Sequence, residues 1–71
     1  MNTGCWIDDN WIWGGTHPGK FWIDGNYIYG PQNSGKYWID NEYIYGPEDS
    51  GKFWISDNYV YGPSKTPPWL R

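Results

Sequence analysis

The chain has 71 residues with a net charge of −3, and 10 Gly and 6 Pro leave it poor in helix formers. That length allows one small domain, and a single Cys excludes a disulfide scaffold. Five basic residues against eight acidic ones leave no electrostatic footprint for nucleic acid. No apolar run approaches the length of a membrane span. Met1-Asn2-Thr3-Gly4 has neither a basic nor an apolar leader segment, so no signal peptide is expected. With one unpaired Cys, a cytoplasmic location is the default.

A repeat organises the rest. Trp6, Trp22, Trp38 and Trp54 are spaced 16 apart, and Ile7, Ile23, Ile39 and Ile55 follow them. Gly14, Gly30, Gly46 and Gly62 keep the same step. A fixed period of this kind marks a repeat architecture. The units are 4–19, 20–35, 36–51 and 52–67, with a tail at 68–71, in a single repeat domain spanning 1–71.

In the first unit, Cys5-Trp6-Ile7 and Trp11-Ile12-Trp13 are short strand-forming runs around Asp8-Asp9-Asn10. Phe21-Trp22-Ile23 and Tyr27-Ile28-Tyr29 flank Asp24-Gly25-Asn26 in the second. The third and fourth units repeat this around Asp40-Asn41-Glu42 and Ser56-Asp57-Asn58. Asp, Asn and Gly tolerate the positive φ of a tight turn, so each unit reads as a β-hairpin. Gly30-Pro31-Gln32-Asn33-Ser34-Gly35 and its counterparts read as loops of five or six residues. No window has helical spacing. The first unit has Trp11 and Trp13 where the others have Tyr, and the last ends in Thr66-Pro67-Pro68. Trp69-Leu70 falls on the register of Phe53-Trp54, which points to a truncated fifth unit. Thr66-Pro67-Pro68-Trp69 could form a short polyproline stretch; a strand terminator is the favoured reading.

The expected fold is an all-β antiparallel meander of about eight short strands. Side chains alternate faces along a strand. One face therefore carries Trp6, Trp11, Trp13, Trp22, Tyr27, Tyr29, Trp38, Tyr43, Tyr45, Trp54, Tyr59 and Tyr61. The other carries Cys5, Ile7, Ile12, Phe21, Ile23, Ile28, Tyr37, Ile39, Ile44, Phe53, Ile55 and Val60. A flat single layer would leave an apolar face bare. Closure into a small barrel, stacking of hairpins as a solenoid, or packing against another copy would each cover it. The favoured forms are the barrel and assembly through the aromatic face.

The Trp/Tyr face is the candidate binding site. Rings with a polar edge stack on sugars, other aromatics and cations, and Lys20, Lys36 and Lys52 fall near Tyr on the same face. Cross-strand aromatic pairs also stabilise sheets without binding anything. Asp8, Asp9, Asp24, Asp40, Glu42 and Asp57 could form an acidic ring at one rim, but turn formation accounts for them and their spacing matches no calcium loop. His17 is read as a solvated loop residue and Cys5 as core packing. Gly-Lys recurs at 19–20, 35–36 and 51–52 without the remainder of a phosphate loop.

In its Trp/Tyr/Gly hairpin composition the chain resembles the aromatic-rich cell-wall-binding repeats of the choline-binding type. Those repeats are longer and do not map residue by residue here, so no site residue transfers. The resemblance implies sugar or cation binding. Two expectations follow. One is a non-catalytic interaction module that self-associates or holds a protein partner through the Trp/Tyr face. The other is a module stacking a glycan or quaternary ammonium ligand on that face. An enzyme is disfavoured, because no singular constellation breaks the repeat. No metal, cofactor, nucleic acid or membrane span is expected.

Overall fold

Four two-residue turns set the hairpins. Asp9-Asn10, Gly25-Asn26, Asn41-Glu42 and Asp57-Asn58 all have positive φ, between 52° and 73°. That pair of left-handed residues is what a type I′ turn requires, and its twist matches the strands it joins. In the computed structural model, which describes all 71 residues, the turns connect eight strands. These are β1 (Asn2–Asp8), β2 (Trp11–Trp13), β3 (Phe21–Asp24), β4 (Tyr27–Tyr29), β5 (Tyr37–Asp40), β6 (Tyr43–Tyr45), β7 (Phe53–Ser56) and β8 (Tyr59–Tyr61).

The strands form a closed antiparallel barrel in sequence order. Closure reuses the bond that joins neighbouring hairpins. Ile23 N donates to Asn10 O, Ile39 N to Asn26 O and Ile55 N to Glu42 O, all at 2.7–2.8 Å. Ile7 N donates to Asn58 O at 2.8 Å and completes the fourfold set. A second set is completed by substitution. Gly19, Gly35 and Gly51 donate backbone N–H groups to Ile12, Ile28 and Ile44 O. The fourth carbonyl, Val60 O, takes the Thr3 hydroxyl at 2.8 Å. Residue 67, which the repeat would bring there, is Pro and has no N–H. Because every strand has two partners, no sheet edge remains. The solenoid and the open sheet are therefore not the architecture.

The side chains sort by face as the alternation requires. Ile12, Ile28, Ile44 and Val60 from the even strands fill the core with Cys5, Phe21, Tyr37 and Phe53 from the odd strands. Ile7, Ile23, Ile39 and Ile55 are only half-buried, packed over that core toward the turn end. The inward face is thus a closed core with a more exposed isoleucine rim.

The tail is not a fifth unit. Pro67 is extended (φ −60°, ψ 151°) and Pro68–Leu70 form one 3-10 turn, the only helical segment. Trp69 belongs to the core cluster at 1% exposure. The repeat places a ring in the core from each of units two to four, but unit one supplies only Cys5. Trp69 restores the fourth ring from outside the sheet, and Leu70 comes close to the Cys5 sulfur over Gly15. A fifth-unit strand has no place to pair in a barrel already closed by β1 and β8. The loops from Gly14 to Lys20, Gly30 to Lys36 and Gly46 to Lys52 each hold seven residues, longer than expected, because the lysines stay outside the strands.

Candidate functional site: an aromatic girdle

Closure turns the Trp/Tyr face outward in every direction. The molecule measures 23 × 22 × 22 Å, so the rings form a belt around a near-sphere and not a flat plate. Nine of the twelve expected residues are exposed at 36–46%: Trp6, Trp11, Trp13, Trp22, Tyr27, Trp38, Tyr43, Trp54 and Tyr59. Tyr29, Tyr45 and Tyr61 are half-buried. The loop after each hairpin explains two of these, since Gly35 lies against the Tyr29 ring and Gly51 against the Tyr45 ring. These tyrosines serve the fold more than the surface.

Ladder register brings the rings together in pairs. Within hairpins Trp22–Tyr29, Trp38–Tyr45 and Trp54–Tyr61 lie 6.0–6.2 Å apart with planes 11–25° from parallel. Between hairpins Trp6–Tyr59, Trp11–Trp22 and Tyr27–Trp38 lie 5.5–6.2 Å apart and tilted near 45°. The first set follows from pairs such as Trp22↔Tyr29 and the second from pairs such as Tyr27↔Trp38. Each such pair adds about 0.5–1.5 kcal/mol beyond area burial. The belt therefore stabilises the sheet while presenting ring surface to water. No concave pocket interrupts it.

The turns and loops divide the charge between the two ends. An antiparallel meander places all four tight turns at one end and all longer loops at the other. Asp8, Asp9, Asp24, Asp40, Glu42 and Asp57 therefore share the turn end, and every basic residue sits at the loop end. The carboxylates ring the rim, but no three titratable ligands converge as a metal site needs. Lys20, Lys36 and Lys52 precede their strands in the loops and do not join the belt itself.

The singular residues are structural in their placement. Cys5 is buried, and burial pushes its thiol above the ordinary value, partly offset by the Thr3 hydroxyl. A neutral, enclosed thiol is a poor nucleophile. Tyr37 stands where units two and four have Phe; burial raises its phenol, and the Glu48 carboxylate adds to the effect. His17 is half-buried, not solvated as expected. Its ring meets Phe21 edge-on at 5.9 Å and its Nδ1 shares a hydrogen bond with Thr16 Oγ1 at 2.8 Å.

The tail makes a further group of interactions that the sequence did not foretell. Gln32 Nε2 and Asn33 Nδ2 donate to Trp69 O at 3.2 and 3.0 Å. Arg71 Nη1 donates to Asp49 Oδ2 at 2.6 Å, and Nη2 to Thr66 O at 3.1 Å. The hydrogen bond from Arg71 to Asp49 holds the guanidinium above its usual range. The signal available in the sequence was an apolar Trp-Leu pair beyond the last complete unit.

No family of known proteins matches the chain. No curated protein and no solved structure matches it either. No helix in the fold is long and apolar enough to cross a membrane.

Proposed function

We propose that the protein is a non-catalytic interaction module that holds protein surfaces, copies of itself among them, on its aromatic girdle. One observation carries this reading: nine exposed Trp and Tyr rings are distributed around a closed barrel that has no pocket. Tyr and Trp are enriched at protein interfaces, and so large an apolar surface marks an interaction site. Closed geometry adds that one partner covers only part of the belt. A tenth of the 4281 Å² surface is about 430 Å² per partner, about half of what a standard-size interface buries on each side. Single contacts are therefore weak, and strength comes from several facets acting together.

Sedimentation velocity from about 10 µM to about 1 mM tests this over the range of weak association. Association that rises with concentration is expected, with its loss in the Trp22→Thr, Trp38→Thr, Trp54→Thr triple variant. Thr keeps strand propensity, and a cooperative melt of the variant checks the fold. A wild-type chain that stays monomeric and captures no protein surface would remove the reading.

A second reading rests on the near-parallel pairs Trp22–Tyr29, Trp38–Tyr45 and Trp54–Tyr61, which repeat around the barrel. Repeated ring pairs suit the stacking of an oligosaccharide or a quaternary ammonium group. Indole NMR signals that shift on adding oligosaccharides or choline would favour it. Unmoved signals at saturating ligand would discard it.

A further inference from the structure

The strongest unassigned feature of the surface is the combination of the belt with the charge at its two ends. The turn end carries six carboxylates and no basic residue. Four Lys and one Arg at the loop end face only Glu48 and Asp49, leaving three positive charges net. Chain termini cancel there, since Met1 O bonds Gly62 N and Arg71 lies on the loops. The modest overall charge of −3 therefore conceals a strongly dipolar molecule.

We infer that two copies of this chain associate side by side and antiparallel, belt facet against belt facet, with the acidic turn end of each beside the basic loop end of the other. This rests on the self-association reading above and specifies its geometry. Parallel packing would set six carboxylates beside six. Antiparallel packing sets unlike ends together at both margins of the same aromatic contact. A four-residue strand separates each loop lysine from the turn carboxylate at its far end, as Lys20 from Asp24, a span of at most about 14 Å, and screening at physiological salt acts over about 8 Å. Each copy therefore responds to the end beside it and not to the partner's net charge. The pairing is isologous: the same facet meets itself across a twofold axis perpendicular to the barrel axis. Three further facets stay open, so growth beyond the pair uses the same contact.

Salt separates this arrangement from simple apolar sticking. Two copies of a −3 protein without charge segregation associate better as salt screens their repulsion. An antiparallel pair associates worse. A variant that erases the dipole at constant net charge isolates the effect: Lys20→Glu, Lys36→Glu, Asp24→Lys and Asp40→Lys. All four positions are exposed, and none of these side chains makes a hydrogen bond in the fold. The loop end becomes −1, the turn end −2, and the total stays −3.

The experiment is sedimentation velocity of both full-length proteins at low and high salt, with a spin-label measurement of orientation. Wild type should weaken as salt rises. The dipole-erased variant should associate at least tenfold less tightly at low salt and gain with salt. A spin label on Asp57→Cys should broaden amides of residues 14–20, 30–36 and 46–52 in an unlabelled, isotopically enriched partner. Buried Cys5 stays out of the labelling. Broadening of the turn residues instead, or a variant that associates as tightly as wild type, overturns the antiparallel geometry and leaves belt association standing. A wild type that never associates with itself overturns both the geometry and self-association through the belt.

Discussion

Gly46 shows how tightly one residue is fixed. Its φ is not in the left-handed region, so conformational freedom is not the reason for it. A Cβ there would enter the ring of Tyr37, as it would enter Phe21 from Gly30 and Phe53 from Gly62. The glycine of each Gly-Pro pair thus lets the chain leave the hairpin across the face of a buried ring. Gly46→Ala should cost about 1–3 kcal/mol through overpacking. In a domain of this size each kcal/mol lowers Tm by about 4–8 °C, which differential scanning calorimetry resolves. The first unit supports the same logic. Gly14 lies instead against Gly4 O and the Trp6 ring, and Cys5 stands where the other units have an aromatic residue.

At the scale of the hairpin, one turn is less well suited than its three counterparts. Asn10, Asn26 and Asn58 occupy the second turn position, and Asn accepts positive φ readily. Glu42 occupies it in the third unit at φ 72°. Left-handed backbone costs a residue without Asn-like side-chain compensation about 1–2 kcal/mol. Glu42→Asn should therefore stabilise the barrel by up to about 1 kcal/mol and raise Tm, because Asn recovers part of that cost. The carboxylate makes no hydrogen bond or salt bridge that the change would remove. A lower Tm would show that Glu42 has an interaction outside the turn geometry.

For the whole molecule, the decisive element is the tail. Fewer than 80 residues rarely build a core worth more than about 3–5 kcal/mol. Burying Trp69 contributes on that same scale, since truncating a buried Trp to Ala costs about 3–5 kcal/mol. Trp69→Ala should leave the chain largely unfolded at room temperature, with circular dichroism and amide dispersion as the readout. Trp69 Nε1 is buried without an acceptor, a state that costs about 1–3 kcal/mol. Trp69→Phe should therefore lose much less than its smaller ring implies and remain folded. Equal damage from both would mean that the indole N–H has a partner in solution. The belt belongs to this scale as well. Its twelve residues share an outer surface only because the sheet closes, and closure also decides that no single partner can cover them.

Hairpins, their turn positions and the division of side chains between two faces were legible in the chain itself. These depend on contacts over a few residues: a left-handed turn pair, the two-residue alternation of a strand, and a 16-residue period with no gap. That twelve rings, Trp22 and Tyr43 among them, share one face of the sheet follows from alternation alone, whatever the sheet does next. Closure, the half-burial of Tyr29, Tyr45 and Tyr61, the lodging of His17 on Phe21, and the fate of the tail did not follow. Closure requires β1 to meet β8, and the Thr3 hydroxyl to reach Val60 O across 57 positions of sequence. Trp69 has the register of a strand residue, yet the closed sheet offers it no partner, and the barrel core takes it instead. Local pattern fixes which way a side chain points; only packing among distant residues decides what it meets.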